Sequence, residues 1–127
     1  MTKVFLSGGT KGNWQDQVRL AIPECYYFDP REAGKLSTMK EIAELERYWL
    51  DECDILFFFF EATNPSGLGS AFEVGYCVSK GVPVIFVDEK RTSHSEWIGV
   101  HCNEVFLDLE SGIISLKKYV KINNHET

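Results

Sequence analysis

Residues 55–60 read ILFFFF, six apolar positions in a row with no alternation. A strand with one wet face alternates apolar and polar residues. A run without alternation needs cover on both faces, as at the centre of a parallel sheet. Residues 82–87, VPVIFV, make the same demand. Parallel strands cannot be joined by tight turns, so helices must lie between them.

The rest of the chain supplies those helices. Residues 3–7 (KVFLS) form a first strand, ended by the glycine-rich GGTKG of residues 8–12. Asn13 can cap a helix to about Ala21, with Trp14, Val18 and Ala21 at helical spacing, and Pro23 stops it. Residues 25–28 form a second strand closed by Asp29-Pro30. Ser37 or Thr38 can cap a long helix to about Cys53, whose apolar stripe is Met39, Ile42, Ala43, Trp49, Leu50 and Cys53. A loop over residues 64–69 leads to a helix over 70–80, with Ala71, Val74, Gly75 and Val78 facing the sheet. A long polar loop is expected from Asp88 to about Cys102, then a last strand over 104–107 and a last helix over 111–120. Five strands alternating with about four helices give an α/β three-layer sandwich, with a five-stranded parallel sheet of flavodoxin/Rossmann-like type. Residues 1–122 are expected to form a single domain and 123–127 a flexible tail.

Composition narrows the function. The chain has 127 residues, enough to bury roughly two-thirds of its unfolded surface without a metal or disulfide staple. Thirteen Lys and Arg against nineteen Asp and Glu leave a net charge of −6. That argues against a nucleic-acid polymer or an anionic membrane as partner, but not against a small anion in one pocket. Cys25, Cys53, Cys77 and Cys102 are widely spaced, form no CxxC pair and lie in or beside apolar stretches. They read as reduced thiols of a cytoplasmic protein. The N-terminal residues lack a signal-peptide layout, and no apolar run approaches the ~20 residues of a membrane span.

Ligands of such sheets bind at the carboxyl ends of the strands, where the strand order reverses. Three loops are therefore candidates: residues 7–13, 61–70 and 88–97. The first is neither GxGxxG nor a GxxxxGK[ST] P-loop. Gly8 and Gly9 can still bring backbone N–H groups to an anion or a sugar, or simply form a tight turn. Glu73 falls in the first turn of the helix after Gly67-Leu68-Gly69, where the helix dipole favours an ionised carboxylate. It can act as a nucleophile on an anomeric carbon, or serve only the helix end. Glu46 lies on the apolar stripe of its helix, either lining a pocket or snorkelling to water. Asp29 can line the pocket rim or form a turn. Ser66, Ser70 and Ser93 can contact phosphate or hydroxyl groups, or be ordinary loop serines. His94 and His101 lack ligand-like spacing, so neither a metal nor a cofactor is expected, and no cysteine sits in a hydrolase-like elbow.

Residues 69–76, GSAFEVGY, followed by KGVPVI at 80–85, resemble the signature of the nucleoside 2-deoxyribosyltransferase family. VFLSGGT at 4–10, Asn13-Trp14, FDPR at 28–31 and ERYWLDECD at 46–54 are similar to a compact branch of that family, so the resemblance spans about residues 3–107. It implies an enzyme that acts on the N-glycosidic bond of a nucleoside or nucleotide, with Glu73 as nucleophile and Glu46 near the base-binding end. It also implies that Phe5 and Ser7 meet the sugar, and that Trp14 stacks on the base or packs under the loop. Gly69, Ser70 and the Asn64–Ser66 stretch would contact substrate, and a homo-oligomer is expected. Two departures stand out. The loop over 64–68 lacks the usual carboxylate near the sugar 5′ side, and Ser93 or Ser95 falls near the position of a late-loop Asn that a neighbouring subunit supplies. The related nucleoside 5′-monophosphate N-glycosidases use such serines, so tolerance of a 5′-phosphate is expected. The alternative is a non-catalytic nucleotide- or nucleoside-binding module. A flavodoxin-like or receiver-type domain fits poorly, because no acidic cluster follows the first strand.

Overall fold

The computed structural model describes residues 1–36 and 38–125. The elements run β1 (Lys3–Gly8), α1 (Trp14–Ala21), β2 (Tyr26–Phe28), α2 (Pro30–Ala33), α3 (Met39–Glu52), β3 (Ile55–Phe60), α4 (Leu68–Ser79), β4 (Val84–Asp88), α5 (Ser93–Gly99), β5 (Glu104–Phe106) and α6 (Leu109–His125). The five strands form one sheet in the order β2-β1-β3-β4-β5, and every pairing is parallel. No helix among the described residues is long and apolar enough to cross a membrane.

The unbroken run in β3 has the predicted cause. Ile55, Phe57 and Phe59 pack on one face with Trp14 and Val18 of α1 and Leu116 and Val120 of α6. Leu56 and Phe58 pack on the other with Leu50 of α3 and Val74 and Cys77 of α4. Phe58 stacks on Phe86 of β4 with ring centroids 4.6 Å apart. Each such ring, buried on both sides, is worth about 2 kcal/mol relative to an exposed one. All four cysteines are free; Cys25, Cys53 and Cys77 are buried and Cys102 partly so.

Six helices are described rather than about four. The polar stretch after β4 holds α5, started by a reciprocal cap between Thr92 and Ser95 that satisfies the free N–H groups of a short helix. Pro30 opens α2 behind Asp29, whose carboxylate accepts from Arg31 N–H. Asn13 stands at the N-cap of α1, but its side chain makes no cap bond. Thr38 caps α3 by accepting from Glu41 N–H, while Ser37 lies outside the described residues. Along α3 only Leu50 is fully buried, and Met39 is 81% exposed; Met39, Ile42 and Ala43 border an open groove facing Gly69, Phe72 and Glu73 of α4. On α4 the inward positions are Ser70, Glu73, Val74 and Cys77, so Gly75 and Val78 turn outward. The last helix extends through Asn123 and Asn124, which reach Thr2 by hydrogen bonds; Glu126 and Thr127 of the expected tail lie outside the described residues.

The chain leaves β1 for α1 on one face and leaves β3 for α4 on the other, while β1 and β3 are neighbours. Their carboxyl ends therefore open a crevice between two diverging loops, the usual ligand position in such sheets.

Candidate active site

That crevice is a cleft of about 670 Å³. The glycine loop after β1, the loop over 61–67 after β3, the start of α4, Glu46 of α3 and Pro30 line it.

Glu73 lines the cleft, and Ser7, which does not itself line it, reaches Glu73 from the buried side. On β1 Leu6 belongs to the α1/α6 side of the sheet and Phe5 to the other, so the pleat turns Ser7 toward α4. Its Oγ donates to Glu73 Oε1 at 2.7 Å. Ser7 is fully buried and Glu73 only 9% exposed. Burial raises the Glu73 pKa first, the adjacent Glu46 carboxyl adds to it, and the Ser7 bond opposes both; the result is about 9.

This corrects the expectation from the helix dipole. Helix α4 starts at Leu68, so Glu73 is its sixth residue and stands in the second turn. The dipole acts mainly in the first turn. Desolvation and a second acidic group outweigh it, and the resting carboxyl holds a proton. Glu73 must lose that proton before it can act as a nucleophile, and Glu46 is the second carboxyl beside it on the cleft wall.

The loops around this pair are fixed by their own bonds. Trp14 Nε1 and Gln15 Nε2 both donate to Gly9 O at 2.9 Å, which pins the glycine loop to α1. Trp14 is 2% exposed and packs against Phe57 and Phe59. Of its two expected roles it takes the packing one. Asn64 Oδ1 accepts from Ser66 N–H at 3.0 Å, and Ser66 Oγ accepts from Leu68 N–H at 3.2 Å. Gly67 precedes α4 at φ 77°, and a Cβ there would lie 2.8 Å from Phe60 Cε1, so the backbone takes a left-handed turn that only glycine fits.

The remaining expected residues divide clearly. Gly8, Gly9, Asn64, Ser66, Gly69, Ser70, Glu46 and Glu73 line the cleft. Phe5 does not; it is fully buried beside Phe28, Leu50 and Leu56. Asp29 does not either. It is 1% exposed and engaged by Arg31 and Arg19, a buried charge held by two guanidinium groups. Ser93 is exposed at the start of α5 and is absent from the cleft wall, while Ser95 is buried in its helix cap.

Sequence reasoning passed over Glu61, Thr10 and Lys11, which also line the cleft. Glu61 carried a usable signal, as the first polar residue after the central strand, at the end where ligands sit. Among the described residues no group of three or more His, Cys, Asp and Glu side chains is placed to hold a metal ion.

A family model described as "Nucleoside 2-deoxyribosyltransferase like" matches residues 1–91. No protein of curated function matches the chain. A conserved protein from Enterococcus faecalis of known structure is similar, with a TM-score of 0.67 and 17% identity, over 94% of this chain and 99% of that one. A 2-deoxyribosyltransferase from Bacillus psychrosaccharolyticus gives a TM-score of 0.71 at 18% identity, covering 87% of this chain and 89% of its own. At these identities the two structures share the fold.

Proposed function

Because this chain belongs to the nucleoside 2-deoxyribosyltransferase-like family, we propose that its cleft breaks the N-glycosidic bond of a (deoxy)nucleoside or its 5′-monophosphate through Glu73. The observation that carries this reading is the buried carboxyl of Glu73, held by Ser7 and flanked by Glu46 on the wall of the cleft.

In the proposed reaction an ionised Glu73 oxygen attacks C1′ of the sugar. The C1′–N bond breaks, and its electron pair leaves with the base. The proton that Glu73 gives up on ionising stays in the pair with Glu46, where it can pass to the departing base. Ser7 fixes the Glu73 carboxylate by hydrogen bond and lowers the cost of its charge. The positive charge that builds up on the sugar ring favours the ionised carboxylate further. A second base or a water then attacks C1′ and frees Glu73, giving transfer or hydrolysis.

The second reading is a binding module that keeps the pocket without turnover. It is favoured by the loop over 64–68, which carries no carboxylate and whose Asn64 and Ser66 side chains are engaged in local turns. A homo-oligomer also fits the proposal. Met39, Leu68 and Phe72, 81%, 79% and 58% exposed, stand around the cleft and its back wall, where a neighbouring subunit would cover them.

The test is base release from a panel of nucleosides and their 5′-monophosphates, with and without an acceptor base, followed by chromatography. Release or exchange that disappears in Glu73→Gln supports the enzyme. Ligand binding without turnover on any substrate supports the binding module.

A further inference from the structure

Glu61 is a carboxylate in an unexpected place. It leaves the end of β3 and reaches across to the glycine loop of β1. Its Oε1 lies 2.7 Å from the point a Cβ on Gly9 would occupy, and its Oε2 3.2 Å from the same point on Gly12. The carboxylate thus fills the hollow of the loop, and a side chain at Gly9 would collide with it. Among the described residues its oxygens have no hydrogen-bond or ion-pair partner. Burial and the nearby Glu89 raise its pKa.

A glycine loop between a strand and a helix N-terminus is where a phosphate usually docks, on free backbone N–H groups. Here the protein's own carboxylate stands against that loop, beside Gly9 and Gly12, without taking up its N–H groups. The cleft wall carries Glu46 and Glu61, beside a protonated Glu73, against Lys11 as its one basic side chain among the described residues. A phosphate dianion entering it meets a negative field, while a hydroxyl meets an unpartnered acceptor.

Resting on the nucleoside reading above, we propose that Glu61 is a specificity-determining residue that accepts a hydrogen bond from a sugar hydroxyl and turns away the phosphorylated sugar. The tolerance of a 5′-phosphate expected from the loop over 64–68 is thereby reversed: the carboxylate missing from that loop is replaced by one from the end of β3.

The test measures dissociation constants by titration calorimetry for 2′-deoxyadenosine and 2′-deoxyadenosine 5′-monophosphate. Wild type and Glu61→Gln are compared after their folding is checked by circular dichroism. Wild type is expected to bind the nucleoside about tenfold or more tightly than the monophosphate, and Glu61→Gln to narrow that ratio by about tenfold, as for one partly screened charge a few ångströms away. Raising salt on the wild type alone should also narrow the ratio, which keeps the test open should the variant fail to fold. An unchanged ratio in Glu61→Gln, a salt-independent ratio, or a wild type that prefers the monophosphate overturns the role of Glu61 while the nucleoside still binds. If neither ligand binds the wild type, the nucleoside reading itself fails and takes this inference with it.

Discussion

Ser7 Oγ donates to Glu73 Oε1 at 2.7 Å, across 66 positions of sequence and between the first strand and the fourth helix. The bond joins the two sides of the crevice where the strand order reverses. It also offsets part of the burial that drives the Glu73 pKa up.

Replacing Ser7 by Ala should therefore slow the reaction more than it weakens binding. A hydrogen bond to a charged group is worth about 1.5–3 kcal/mol, so kcat should fall roughly 10- to 100-fold with KM little changed. Ionisation of Glu73 should become harder still. In the pH dependence of kcat/KM, the rising limb should sit well above the ordinary carboxylate range in wild type and move higher in Ser7→Ala. A limb near pH 4.5 in both proteins would contradict the placement of Glu73.

Stability should report the same carboxyl. Unfolded, Glu73 titrates near its ordinary 4.5; folded, near 9. Between these values the folded protein holds a proton that the unfolded chain has lost, so this group's contribution to stability falls as pH rises through that window. Glu73→Gln removes the titration. The variant should gain in Tm relative to wild type from pH 5 to pH 9, and the gain should level off above the folded pKa. Thermal unfolding followed across that range checks the sign.

Trp14 links packing to the site. Trp14→Phe keeps most of the ring but deletes the Nε1 bond to Gly9 O. A loss of about 1 kcal/mol in stability is expected. The glycine loop keeps only its Gln15 bond to Gly9 O, so KM should rise severalfold while kcat changes less. Steady-state kinetics beside chemical denaturation would show both effects.

Gly112 tests the other face of the sheet, away from the cleft. A Cβ there would meet Val87 Cγ2 and come within 3.3 Å of Phe57 Cζ. Overpacking costs about 1–3 kcal/mol and the better helix propensity of Ala returns up to about 1, so Gly112→Ala should lose stability on balance. A Tm drop of a few degrees with unchanged ligand affinity is the expected result.

The layout of the sheet was legible in residues 55–60 and 82–87, because burial on both faces removes the alternation that a half-wet strand must show. Glu73 and Glu46 were legible as candidates from the resemblance and from the stripe on α3. The ionisation of Glu73 was not. It depends on where α4 begins and on how deep the side chain sits, and both are set by packing against β1. Helix α5 was hidden because a seven-residue helix held by one reciprocal cap has too little periodicity to stand out from a polar loop. The place of Glu61 at the ligand end of β3 was legible, but its neighbours were not. Its role follows from contact with Gly9 and Gly12, about fifty positions away, which spacing along the chain does not encode. Asp29 was drawn toward the site by its place at the end of the second strand and Phe5 by the resemblance, and in the structure both serve the scaffold.

The most direct measurement is capture of the glycosyl–enzyme. The protein would be mixed with a deoxynucleoside, quenched in acid within a turnover, digested and analysed by mass spectrometry. A deoxyribosyl adduct is expected on the peptide carrying Glu73, formed with one equivalent of free base and absent from Glu73→Gln. Base release without any adduct on Glu73, or with full activity in Glu73→Gln, would contradict it.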